Sequence, residues 1–325
     1  MEALALDVDS GWSLTPLAGT APAPTLEARR FEGHSLRIEA AAAPTLLHLH
    51  YAAQQQEEAP LLAIELAPGA RCVLLETHGR AGGAATVQNL QLFLRLGRGA
   101  QLQHLRAVQP GPQDRVAHQL NAHLEQAARY EQALLATGSA YHQQRVEFEL
   151  QGEDAEARIG GVLLAAGSAL EQQVQARHAA ARTRSTMEVL ALASGTARVE
   201  VSARTHIAAG SSDAETRQRL AGIPTGGQPR LLLRPHLEIH HDQVQAAHGA
   251  TWGALPEEAL FLARQRGIAE AAAKALILEG LARAALTRAI DDTALPEPLR
   301  LEAALRSAVA VHLGGAPALQ EVSHG

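Results

Sequence analysis

From Leu61 to about Ile239, apolar residues recur at every second position in short segments separated by small-residue turns, as in "TVQNLQLFLRLGRGAQLQHLRAV" and "HQQRVEFELQGEDAEARIGGVLL". Successive side chains of a strand point to opposite faces, so this alternation is the mark of half-buried β-structure. A small residue opening a new strand recurs at Ala128, Ala140, Ala155, Ala169, Thr183 and Thr196, in steps of 12, 15, 14, 14 and 13 residues. Each step is one strand plus its turn. Such units suit an antiparallel sandwich or a parallel β-helix. The spacing persists over many units, and the turns are rarely the tight Asn-Gly or Asp-Gly pairs that hairpins prefer, which favours the β-helix.

Three regions follow. Residues 1–60 form an N-terminal segment leading into the solenoid, with loop-like stretches "PLAGTAPAPT" and "QQQEEAP". Residues 61–250 form the β-helix core, and residues 251–325 a small C-terminal helical domain. In "ALPEEALFLARQRG", Pro256 and two glutamates mark a helix start, Leu255, Ala259, Leu260 and Leu262 approach helical spacing, and arginines precede a terminating Gly267. A longer helix follows in "IAEAAAKALILEGLARAALTRAI" and a third in "PEPLRLEAALRSAVAVHL".

Composition removes several classes of function. Of 325 residues 46% are hydrophobic but only 3% aromatic, so the core is built from aliphatic side chains and few platforms exist for stacking sugars or bases. A net charge of -6 argues against a nucleic-acid surface. The second helix, mostly Ala and Leu, offers little to read base edges. Cys72 is the single cysteine, which excludes an internal disulfide and a site ligated by this chain's thiolates alone; it reads as a small buried hydrophobe. The single lysine, Lys274, lies in a helical context, so no phosphate loop is present and no nucleotide is expected on this chain. "LGRGAQ" lacks the third glycine of a dinucleotide loop, and no Gly-x-Ser-x-Gly elbow occurs. The N-terminus has neither a basic start nor an apolar run, and no uncharged apolar stretch reaches membrane-spanning length, so a cytoplasmic location is expected.

The densest chemistry lies in "PHLEIHHDQVQAAHGATWG", Pro235 to Gly253, with four histidines within thirteen residues. As a strand, it sends His236, Glu238 and His240 to one face and Leu237, Ile239 and His241 to the other, with Leu237 and Ile239 expected to face the core. His236, Glu238 and His240 could then hold a divalent metal with a further donor. His248 differs, since it precedes Gly249 where sheet gives way to helix and backbone can approach a ligand or another subunit.

The run "RPHLEIHHDQVQAAHGATWGALPEEALFLARQRGI" resembles the C-terminal signature of the SufB/SufD family of iron–sulfur cluster assembly scaffolds. The match runs through Pro235, Leu237, Glu238, Ile239, Asp242 and Val244 to His248–Thr251 and Gly253, then Leu255, Glu257, Glu258, Leu260, Phe261, Arg266, Gly267 and Ile268. Its His-Gly-Ala-Thr form is similar to the SufD branch, and fainter matches occur at "LLETHG", "VQNLQLFL" and His178 with Ser185. The resemblance implies a right-handed parallel β-helix followed by a helical domain. It further implies a non-catalytic scaffold that pairs with a SufB-like subunit and with SufC, an ABC-type ATPase supplying the missing phosphate loop; a homodimer is the alternative pairing. A transient iron–sulfur cluster or iron would be shared at the interface through His248, with Glu238, Asp242 and Thr251 beside it. SufC would meet Leu260, Phe261, Arg264, Arg266 and Gly267, unless the first helix serves to cover the open solenoid end. Two departures stand out: Ala246 replaces a cysteine frequent in SufD, and Leu262 replaces an aromatic residue. Set against the resemblance, little of the N-terminal helical region common in SufD is expected in residues 1–60. A reading from another class is a β-helical metal-dependent hydrolase or polysaccharide lyase using His236, Glu238 and His240. Against it stand the lack of an export signal and of an aromatic groove.

Overall fold

The computed structural model describes residues 33–80, 84–290, 295 and 300–314, together with three short strands at 4–5, 12–16 and 25–29. In chain order the strands begin β1 (Leu4–Ala5), β2 (Trp12–Pro16), β3 (Thr25–Arg29), β4 (Gly33–Ile38), β5 (Thr45–Ala53), β6 (Glu57–Glu58), β7 (Leu61–Leu66), β8 (Arg71–Arg80), β9 (Val87–Leu96) and β10 (Gln101–Val108). They continue as β11 (Arg115–Leu124), β12 (Arg129–Thr137), β13 (Tyr141–Leu150), β14 (Glu156–Ala166), β15 (Ala169–His178), β16 (Arg184–Gly195), β17 (Arg198–Ile207), β18 (Ala214–Gly227), β19 (Arg230–Ile239) and β20 (Val244–Trp252). Helices α1 (Glu257–Gln265), α2 (Glu270–Ala289) and α3 (Glu302–His312) follow.

From β7 onward, consecutive strands fall in opposite sheets, and neighbours within a sheet are parallel: β8, β10 and so on to β20 in one, β7, β9 and so on to β19 in the other. This is the parallel β-helix that the spacing predicts, a solenoid of about eight turns with helices after it. The sandwich is excluded, because it would pair sequence neighbours in antiparallel fashion.

The small-residue repeat marks one corner. Ala70, Ala100, Ala128, Ala155, Thr183 and Ala214 each immediately precede a strand or open it, and all are fully buried. Their carbonyls bind the coil above, as in Glu156 N–H to Ala128 O and Arg184 N–H to Ala155 O, both 2.9 Å. The residue before each, Gly69, Gly99, Ala127, Asp154, Arg182 and Asp213, has φ between 54° and 72°. A left-handed residue followed by a small one thus turns the chain once per coil, without the Asn-Gly signal of hairpins. On the opposite corner Ala140 and Ala169 sit at the starts of β13 and β15, while for β17 the buried position is Ala197, one residue after Thr196.

The two sheets differ in pattern because they differ in cover. β13 alternates strictly, with solvent on its outer face. By contrast β12, β14 and β16 carry continuous buried runs because α2 and α3 lie on that outer face. Leu278, Ala282, Ala285, Leu286, Leu305 and Val309 pack there on Leu105, Leu135, Val162, Leu164 and Leu192. Arg288 Nε meets Glu188 at 2.6 Å, and His312 Nε2 lies 2.7 Å from Thr225 Oγ1. Gly160 on β14 permits this approach: a Cβ there would stand 2.3 Å from Ala289 Cβ.

Gly160→Ala should therefore lower stability by about 1–3 kcal/mol through overpacking. Gly280→Ala, at an exposed helical position with nothing within 4 Å, should raise it by about 0.5–1 kcal/mol. Denaturant unfolding of both variants checks the pair; equal effects would contradict the assigned helix packing.

Candidate functional site

The site is built by the end of the solenoid. β20 and β19 are the outermost strands of their sheets, and among the described residues no strand pairs with their outer edges. β20 is exposed along almost its whole length, and its last residue, Trp252, is 62% exposed. Ile239 is 41% exposed and Leu237 only half-buried, so the face expected to be core is partly uncovered in this final coil. α1 buries no residue, and α2 and α3 lie on the flank, so the helices leave the open end uncovered.

His248 is exposed on β20 and is the register partner of Gln218 on β18. Parallel register partners share a face, and Gln218 is buried between the sheets; His248 therefore continues the inward-facing row where that row emerges from the solenoid. Ala246 stands two residues earlier on the same row, opposite Thr216. Asp242 and Thr251 are exposed nearby. Below them runs a file of buried polar groups. Gln218 Nε2 donates to Thr205 Oγ1 at 2.8 Å, Thr205 and Thr216 hydroxyls lie 3.1 Å apart, Thr216 and Ser185 2.8 Å, and Ser185 Oγ and His178 Nε2 2.8 Å. Gln218 also holds both main-chain groups of His236, at 3.0 and 3.2 Å.

The trio expected at His236, Glu238 and His240 is corrected. His236 faces Arg204 in the ladder, whereas Glu238 is the register partner of His206 on β17. The group brought together is thus His206, Glu238 and His240, on the outer face of the sheet, with donor atoms all within 4.8 Å. His240 Nε2 lies 3.0 Å from Glu238 Oε1 and His206 Nε2 3.9 Å from it. The hydrogen bond from His240 holds the Glu238 carboxyl below the usual carboxylate range, aided by the charges of His206, His240 and Arg204. Sequence reading missed His206 because it belongs to the previous coil.

On α1, Phe261 is 54% exposed and Leu262 is exposed beside it; Arg264 and Arg266 are exposed, Leu260 is half-buried, and Gly267 ends the helix at φ 76°.

A family model described as SUF system FeS cluster assembly, SufBD core domain, matches residues 49–281. The chain belongs to this family. It is 23% identical over 236 residues to the iron–sulfur cluster assembly protein SufD of Escherichia coli (strain K12), an alignment covering 72% of this chain and 55% of the relative. The chain thus spans about half the length of that curated relative. Iron–sulfur cluster assembly is the role named in the descriptions of that family and that relative. Among the described residues no helix is long and apolar enough to cross a membrane.

A second polar assembly lies deeper in this SufBD solenoid. Arg106, the largest fully buried side chain among the described residues, places Nε 3.0 Å and Nη2 3.3 Å from the two carboxylate oxygens of buried Glu76. Burial raises the Glu76 pKa, but Arg106, His118 and hydrogen bonds from His104 and His78 outweigh it and hold the carboxyl well below its ordinary range. Arg106 Nη2 also donates to His118 Nδ1 at 2.7 Å; burial and the neighbouring guanidinium hold that ring's pKa well below its ordinary value. The alternation predicts these positions to face inward, so a Glu and an Arg in inward phase within "LLETHG" and "QLQHLRAV" were the readable signal. Cys72 is buried as expected, its thiol pushed up by burial.

Two outcomes follow. Glu76→Leu and Arg106→Leu should each destabilise by about 3–5 kcal/mol by stranding a buried charge, whereas the double variant should lose markedly less; additive losses in denaturant unfolding would contradict the pairing. His142 and His178 are pushed down to about 4 by burial, from 6.5. Unfolding lets both rings take up protons, so the stability present above about pH 6.5 should be lost as pH falls toward about 4, by a few kcal/mol in all. A denaturant midpoint that stays flat across that window would contradict it.

Proposed function

We propose that this chain is a SufD-like, non-catalytic, cytoplasmic scaffold subunit of the Suf machinery, pairing with a SufB-like subunit and a SufC-like ABC ATPase. One observation carries the reading: His248 is exposed on the last strand of the solenoid, whose outer edge no strand pairs with among the described residues. Unpaired N–H and C=O groups along a strand edge are a template for another chain, and an exposed Trp252 and Ile239 beside them add apolar area to bury. A neutral imidazole nitrogen can ligate iron, and a ligand on such a seam is completed only when the partner arrives. The cargo, a transient iron–sulfur cluster or iron, would be shared between His248 and groups of the SufB-like subunit. Ala246 supplies no thiolate, so this chain's share of the ligation falls to His248, with Glu238, Asp242 and Thr251 as interface residues.

The ATPase contact is assigned to α1. An amphipathic helix with no fully buried residue that exposes Phe261 and Leu262 is suited to a partner's groove. Leu260, Phe261, Arg264, Arg266 and Gly267 would form that contact, and nucleotide would bind on the ATPase alone.

His248→Ala should abolish cluster maturation in the reconstituted complex while leaving co-purification of the three subunits intact; retained maturation would refute the ligand role. Truncation after Gly253 should eliminate co-purification of the SufC-like ATPase, and undiminished binding would refute the α1 assignment.

A further inference from the structure

We propose that His206, Glu238 and His240 form a mononuclear site for a first-row divalent metal ion, distinct from the His248 ligand position, whose occupant in an assembly complex is ferrous iron. The metal site itself stands on this chain's geometry; the choice of iron rests on the proposed assembly role.

The backbone places the three donors. In the parallel β17–β19 ladder His206 is directly opposite Glu238, and His240, whose N–H still pairs with Ile207 O at 2.9 Å, follows two residues on along the same face. Two in-register strands therefore present one carboxylate and two imidazoles on a rigid surface. His248 lies in the other sheet, on its inward row, so the two sites do not share a face. Metal–donor bonds of about 2.0–2.2 Å require donors about 3–3.5 Å apart. The carboxylate oxygen is 3.0 Å from one imidazole nitrogen and 3.9 Å from the other, so small side-chain rotations close the set without moving the strands. The rings, 5.1 Å apart and tilted by 48°, already converge. Among the described residues His206 Nδ1 has no hydrogen-bond partner, so no competing bond anchors that ring elsewhere.

The donor set selects the ion. Two histidines and one carboxylate on one side of a metal, with the remaining positions open, suit non-haem ferrous iron and bind cobalt or zinc by the same chemistry; magnesium and calcium prefer all-oxygen sites. Arg204, whose charge reaches Glu238, moderates the affinity. Exposure of Glu238 and His240 leaves the ion free to exchange, which suits iron in transit. The inner group Glu76, His78 and His118 has comparable donor spacing, but Arg106 already occupies the cation's place there, with Nε 3.0 Å from the carboxylate. Of these two groups among the described residues, the outer one is open to an ion.

The test is an anaerobic Co2+ titration of the full-length chain, read by d–d absorption. One equivalent should bind, an excess of Fe2+ should displace it, and the same excess of Mg2+ should not. His206→Asn, Glu238→Gln and His240→Asn should each weaken binding by roughly tenfold or more, and His236→Asn should leave it unchanged. Because a misfolded variant also loses metal, the wild-type chain supplies a second readout: Co2+ should broaden the NMR signals of His206 and His240 first. No saturable binding, binding indifferent to all three substitutions, or broadening centred on His248 or His118 would overturn the site; failure of Fe2+ to compete would overturn iron as its occupant. The titration needs no partner, so its failure leaves the His248 seam standing, and maturation without His248 leaves the titration intact.

Discussion

A coil of a parallel solenoid completes its backbone hydrogen bonds only through the coils on either side of it. At the N-terminal side the chain meets this requirement by reversal, with β2 antiparallel on β5 and β3 antiparallel on β4. At the other side β19 and β20 end their sheets with no such strand among the described residues. The helices that follow pack on the flank through α2 and α3 and leave α1 exposed. Everything assigned to a partner follows from that placement: an open edge with an imidazole on it, and a helix with apolar residues facing solvent.

The interior sets a second constraint. A core of Ala, Leu and Val stacked in register can be read as a set of ladders, yet buried polar assemblies interrupt it, and two of them bear on register. Glu76 and Arg106 satisfy one another across adjacent strands β8 and β10, with His118 of β11 facing them from the other sheet. Such a pair adds little net stability over an apolar core, but it penalises any register that separates its members. Nearer the mouth, His178, Ser185, Thr216, Thr205 and Gln218 link hydroxyl to hydroxyl and amide along the inward row. The register that buries Gln218 is the register that presents His248 one coil later.

Much of this was legible in the sequence. Alternation with a 12–15-residue step identified the solenoid, and the switch to helical spacing after Gly253 located the helices. The turn chemistry was hidden because Ala127 and Arg182 adopt left-handed φ without the glycine that would have announced it. Helix cover was written in continuous apolar runs such as those of β14 and β16, which differ from the alternation of β13. His206 escaped because contacts between coils join residues about thirty positions apart, and a strand read alone offers only its own neighbours: hence His236 in place of His206. The exposure of Ile239 escaped for a related reason, since alternation assigns a face but cannot tell which coil is the last.

Amide hydrogen exchange on β20, with and without a SufB-like subunit, tests most directly the claim that this end of the solenoid is a seam. Fast exchange at the alternate amides of Val244–Trp252 that point away from β18 in the isolated chain, becoming slow on addition of the partner while β14 stays unchanged, is the result required. Exchange at those amides that is already slow alone, or that the partner leaves unaltered, would contradict it.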